Sequence, residues 1–89
     1  MFTVYVIKSK THKFRYTGFT TNLRRRLRDH NNGQNKSTKH YRPFLLIYTE
    51  NCSTRIEART REKFLKSTKG REYLKDILSS KVPAPTELV

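Results

Sequence analysis

The order in which apolar side chains recur along this chain limits its fold more than any other feature. Phe2 to Ile7 is rich in β-branched and aromatic residues and reads as a strand. After the polar connection Ser9-Lys10-Thr11-His12, a second strand is predicted from Lys13 to Thr17. It sets Phe14 and Tyr16 on one face and Lys13, Arg15 and Thr17 on the other. Gly18 ends that strand as a structural turn residue, where the backbone must bend sharply or approach something closely. Thr20, Thr21 and Asn22 are N-cap residues for a helix reaching about His30, and Asn31-Asn32-Gly33 stops it. Pro43 then leads into Phe44 to Tyr48, a near-continuous apolar run with the density of a central, well-buried strand.

Thr54 and Glu57 stand at capping-box spacing and open a helix through about Thr68. Its inward stripe is Ala58, the stem of Arg61, Phe64 and Leu65. Gly70 separates it from a third helix, about Arg71 to Ser80, with Leu74, Ile77 and Leu78 inward. The order β-β-α-β-α-α has too few strands for a doubly wound sheet. It predicts an α/β (α+β) domain in which helices flank a three-stranded, largely antiparallel sheet. A chain of 89 residues buries only about 60% of its unfolded surface, so there is room for one core. Residues 1–80 are expected to form one domain, and 81–89, which hold Pro83 and Pro85, a flexible tail.

The formal net charge is +13, a balance that points to phosphates or an anionic surface as the partner. Residues 1–42 hold 11 of the 20 Lys and Arg and a single acid, Asp29, so most of the excess sits on the N-terminal half. A membrane-surface helix needs a broad apolar face opposite its charges. The most basic segment, Asn22 to His30, offers only Leu23 and Leu27, so nucleic acid is expected and a membrane is not. The lone Cys52 cannot form an internal disulfide, and no apolar run approaches a membrane span or a leader. An intracellular, cytoplasmic setting is the expectation.

Chemistry enters through an ordered set of residues. Val4-Tyr5-Val6 lies in the first strand and Tyr16-Thr17-Gly18 ends the second. The helix Asn22-Leu23-Arg24-Arg25-Arg26-Leu27-Arg28-Asp29-His30 follows, and a Glu-bearing helix lies beyond the third strand. Over residues 2–75 this set resembles the GIY-YIG nuclease domain, particularly the short stand-alone bacterial members, and the N-terminal nuclease domain found in the ABC excinuclease. The resemblance implies that Tyr5 and Tyr16 are the two motif tyrosines, Arg26 the helix arginine, His30 the residue one turn later and Glu62 the metal-binding glutamate. It implies a divalent-metal-dependent endonuclease acting on DNA phosphodiesters, with a role in repair or recombination. Mg²⁺, or Mn²⁺, would be held by Glu62. Phe19 stands after the glycine, where many members carry a polar residue.

The division of labour makes physical sense on its own. Phosphodiester cleavage places charge on nonbridging oxygens and on the leaving alkoxide, which suit a fork-shaped guanidinium and a hard cation. Steps of about 100° per residue place Arg24 and Arg26 equally far from the Leu23/Leu27 stripe. His30, one turn after Arg26, favours Arg26. Among the acids, Glu57 is used at the helix start, whereas Glu62 lies beside the inward stripe; a surface ion pair with Lys66 is its competing use. Tyr5 and Tyr16 have strand packing as their competing use. Arg24, Arg25 and Arg28, with Lys36, Lys39 and Arg42 of a polar loop, are the expected phosphate-tracking residues. DNA is expected over RNA, with sequence specificity left to a second copy or a partner protein. The competing function is a non-catalytic nucleic-acid-binding module on the same basic face.

Overall fold

The computed structural model describes residues 1–81. The elements run β1 (Phe2–Ser9), β2 (Arg15–Thr20), α1 (Leu23–Asn31), a 3₁₀ turn (Lys39–Tyr41), β3 (Phe44–Cys52), α2 (Arg55–Lys66) and α3 (Thr68–Lys81). Both strand pairings are antiparallel and the sheet order is β2-β1-β3. This is the expected α+β architecture. The tail expected at 81–89 lies outside the described residues from 82 onward.

Two hydrophobic layers sandwich β1, whose residues 4–7 are all buried. Val4 and Val6 face one way, into Ala58, Leu65 and Leu74 of α2 and α3. Tyr5 and Ile7 face the other way, into Leu23 and Leu27 of α1, with Phe14, Tyr16, Tyr41 and Phe44 around them. Alternation along one strand therefore sends its apolar pairs into separate clusters. Burial of each such side chain contributes roughly 1.5–3 kcal/mol.

The central strand is β1, and the expectation that Phe44–Tyr48 would take that place is corrected. β3 is an edge strand, and Leu45 and Leu46 remain 52% and 39% exposed. A continuous apolar run reports density rather than position in the sheet, and it also arises where a bulge breaks alternation. Val6 pairs with Tyr48 and Ile7 with Leu46, so Ile47 is the extra residue of an irregularity in β3.

A second correction concerns Gly18. It is no turn residue: it lies inside β2, which continues to Thr20, in register with Tyr5. Close approach is its reason. A methyl group there would stand 2.9 Å from the Tyr5 hydroxyl and 3.0 Å from the Tyr16 ring. The motif glycine thus makes room for the two motif tyrosines. Phe19 beyond it packs edge-on against Phe2, beneath the Arg55 guanidinium.

Helix starts follow their caps. Asn22 accepts from the Arg25 amide, and Thr54 with Glu57 closes a full capping box. The helix break differs from expectation: it falls at Ser67, and Gly70 sits buried in the first turn of α3. A Cβ on Gly70 would collide with the Phe64 carbonyl at the end of α2, so the glycine is required by helix contact, not by a stop. Gly70→Ala is therefore expected to destabilise the fold by about 1–3 kcal/mol. At roughly 4–8 °C per kcal/mol for a domain this size, thermal unfolding will show it. On the far side, Glu50 of β3 accepts from the Arg61 Nε at 2.6 Å and the Tyr48 hydroxyl at 2.5 Å, tying α2 to the sheet.

Candidate active site

The site is assembled where β1, β2 and α1 meet. Tyr5 and Tyr16 project from neighbouring strands with ring centroids 6.2 Å apart. His30, from the last turn of α1, is fully buried beneath them, its ring 4.9 Å from that of Tyr16. Its Nε2 lies 2.9 Å from the Tyr5 hydroxyl and its Nδ1 lies 2.8 Å from the Thr38 Oγ1. Thr38 donates its own proton to the Asn35 carbonyl, 3.4 Å away. The tautomer follows: Nδ1–H donates to Thr38, and the bare Nε2 accepts the Tyr5 hydroxyl proton.

Burial, and then the nearby Arg26 charge, hold the His30 pKa below its ordinary value, so the neutral imidazole is favoured. Burial likewise pushes the Tyr5 hydroxyl up to about 12, with Tyr16 and Glu62 adding to the rise and Arg26 opposing it. Tyr5 is a proton donor at neutral pH, not a phenolate. The Arg26 guanidinium is held above its usual pKa first by its interaction with the Tyr5 hydroxyl, against the cost of burial, and further by Tyr16.

These partners separate the four arginines of α1. Arg26 is half-buried and bound up with both tyrosines, whereas Arg24, Arg25 and Arg28 are exposed. Lys36, Lys39 and Arg42 are exposed as well. Their loop is ordered by packing: Tyr41 stacks on Phe14 at 3.9 Å, Ser9 donates to the Tyr41 carbonyl at 2.6 Å, and Asn31 accepts from the Phe44 amide at 2.7 Å. Lys36 and Lys39 are exposed on this loop, and Tyr41 is occupied within the fold.

Glu62 reaches the same place from α2. Its side chain is 18% exposed, and its charge is felt at the Tyr5 hydroxyl. It also pairs with Lys66 at 2.9 Å, the competing use expected for it, although the lysine side chain is 53% exposed on a long stem. Glu57 is committed to the capping box. No group of three His, Cys, Asp or Glu that could hold a metal occurs among the described residues. One carboxylate fits Mg²⁺, which keeps most of its waters, and does not fit a Zn²⁺ cage.

Sequence reasoning missed Thr38. It is fully buried and fixes the His30 ring, yet it sits in a stretch without apolar periodicity. Only the pattern Asn35-x-x-Thr38, a local side-chain turn, hints at its role.

The model of the GIY-YIG catalytic domain matches residues 1–75. The chain belongs to the GIY-YIG family. A GIY-YIG domain usually means a nuclease, and the family is typically endonucleolytic. A UPF0213 protein of Staphylococcus haemolyticus is 41% identical over 75 residues, covering 83% of this chain and 90% of its own. The UPF0213 protein YazA of Bacillus subtilis is 39% identical, covering 94% and 92%. The solution NMR structure of a UPF0213 protein from Bacillus halodurans has a TM-score of 0.53 at 29% identity, covering 94% of this chain and 99% of that one. With so little of each relative left outside the match, those proteins are little more than one GIY-YIG domain. No described helix is long and apolar enough to cross a membrane.

Proposed function

We infer that this GIY-YIG protein is a divalent-metal-dependent endonuclease that nicks DNA. The observation that carries the reading is the convergence of Arg26 and Glu62 on one buried tyrosine–histidine pair. Arg26 grips a nonbridging oxygen and offsets the charge that develops there. Tyr5 and His30 are positioning residues: both are buried, His30 holds the Tyr5 hydroxyl, and that hydroxyl in turn meets the guanidinium. Tyr16 is only half-buried, and in this reading its hydroxyl orients the attacking water. Glu62 would hold Mg²⁺ or Mn²⁺. A hard cation bound there supplies charge neutralisation on the phosphate and a bound water of lowered pKa. Arg24, Arg25, Arg28, Lys36, Lys39 and Arg42 draw in the DNA backbone.

One site per chain nicks one strand, so a double-strand cut needs a second copy or a second event. The test is conversion of supercoiled plasmid to nicked circles in Mg²⁺, in Mn²⁺ or in EDTA. Nicking is expected with either metal and none in EDTA. The Glu62–Lys66 pair is the one contact that favours a module which binds without cutting. Retained binding with no nicking in either metal would establish that module instead.

A further inference from the structure

A second basic surface lies away from α1, and composition alone does not point to it. Lys8, Lys13 and Arg15 of the β1–β2 hairpin face Lys66, Arg71 and Lys75 of α2 and α3 across a run of adjoining clefts. The first cleft, about 310 Å³, is bordered by Tyr16 and Lys66 and so opens beside the candidate active site. It shares Arg15 and Arg71 with the next, about 710 Å³, which shares Lys8 and Arg15 with a third of about 570 Å³. No acidic side chain lines any of the three. All six cations are exposed, and only Lys66 forms an ion pair among the described residues.

We propose that this trough is a second phosphate-binding track, carrying the backbone of duplex nucleic acid away from the site at Tyr16 and across the hairpin to α3. The proposal deepens the nuclease reading and rests on it for the direction of the track. Five of the six, all but Lys66, form no ion pair among the described residues; like charges gathered so repel one another, a cost that a polyanion removes by displacing its own counterions. A single strand would call for aromatic faces on which bases stack. Phe14, the aromatic ring between the first two clefts, is stacked face to face with Tyr41, 3.9 Å apart with planes 10° from parallel. Beyond Tyr16, which belongs to the candidate active site, the trough therefore offers charge to a backbone and no free aromatic face to unstacked bases. With the α1 arginines on one side of the site and this track on the other, DNA is held on both sides of the scissile phosphate.

The test is fluorescence anisotropy of a labelled duplex in EDTA across a series of salt concentrations. It compares the wild type, Lys8→Ala/Arg15→Ala/Arg71→Ala and each single variant, with plasmid nicking in Mg²⁺ run beside it. Each duplex phosphate contact contributes about 0.9 to the slope of log affinity against log salt. The triple variant is expected to lose about 2.7 of slope and each single variant about 0.9, with thermal unfolding unchanged. A matched single strand should bind more weakly than the duplex. A triple variant with the wild-type slope, beside a wild type that nicks DNA, overturns the track and leaves the nuclease standing. Slope lost in the variants, beside a wild type that never nicks, supports the track and removes the nuclease. Tighter binding of the single strand overturns the duplex assignment.

Discussion

Arg26→Ala is expected to lower the nicking rate about 10²–10³-fold, the usual cost of removing one preorganised donor from a transition-state anion. Duplex binding should fall by no more than one phosphate contact, a change of about 0.9 in salt slope. Arg26→Lys should not restore the rate, because an ammonium cannot span Tyr5, Tyr16 and a phosphate oxygen as a planar fork does. Arg24→Ala supplies the contrast: it is exposed, and its loss is expected to move binding and leave the rate at saturating DNA nearly unchanged. Glu62→Gln keeps the shape of the side chain and removes its charge, and it should abolish metal-stimulated nicking. Lys66→Ala should act in the opposite sense on the metal. With its partner at 2.9 Å gone, Glu62 is freed, and half-maximal rate should come at lower Mg²⁺. Equal losses in Arg24→Ala and Arg26→Ala would remove Arg26 from the centre of the site.

The contrast between those two arginines is legible in the sequence only in part. Helical geometry places both equally far from the apolar stripe, and it is their surroundings that separate them. The strands, the helices and the capping box at Thr54 are readable because each rests on short-range pattern: alternation, spacing, or a side chain bonding three residues on. What pattern cannot supply is position. Phe44–Tyr48 is denser in apolar residues than Phe2–Ile7, yet β1 is the strand paired on both sides. Glycines mislead for a related reason. Along the chain Gly70 looks like punctuation and Gly18 leaves a turn and a close approach both open; each is a point where an absent Cβ makes room, for the tyrosine pair at one and for the end of α2 at the other. The contact of Thr38 with His30 cannot be read from the sequence, because tertiary packing brings the two together.

That buried contact carries the other large effect. His30→Ala removes a fully buried ring and takes one hydrogen-bond partner from each of two groups, the Tyr5 hydroxyl and the Thr38 Oγ1. Loss of a packed ring and of its hydrogen bonds together should cost about 3–5 kcal/mol. A domain of this size holds only about 5–15 kcal/mol in all, so the variant should stand near the edge of folding. His30→Gln, which can still donate and accept, should keep the fold and separate stability from chemistry. It also isolates a pH signature. The native His30 pKa is lowered, chiefly by burial and then by Arg26, with Asp29 opposing. The unfolded chain therefore takes up a proton near the ordinary value of about 6.5 while the folded chain does not. This contribution to stability is whole above about pH 6.5 and is lost as pH falls from there toward the native pKa. Denaturant unfolding of the wild type and His30→Gln between about pH 5 and 8 measures it. Wild-type stability should drop more steeply on the acid side, and parallel curves for the two proteins would show that His30 is not held neutral in the fold. Nicking should fall over the same range, since a protonated Nε2 can no longer accept the Tyr5 hydroxyl, and Arg26 then loses the partner that sets it.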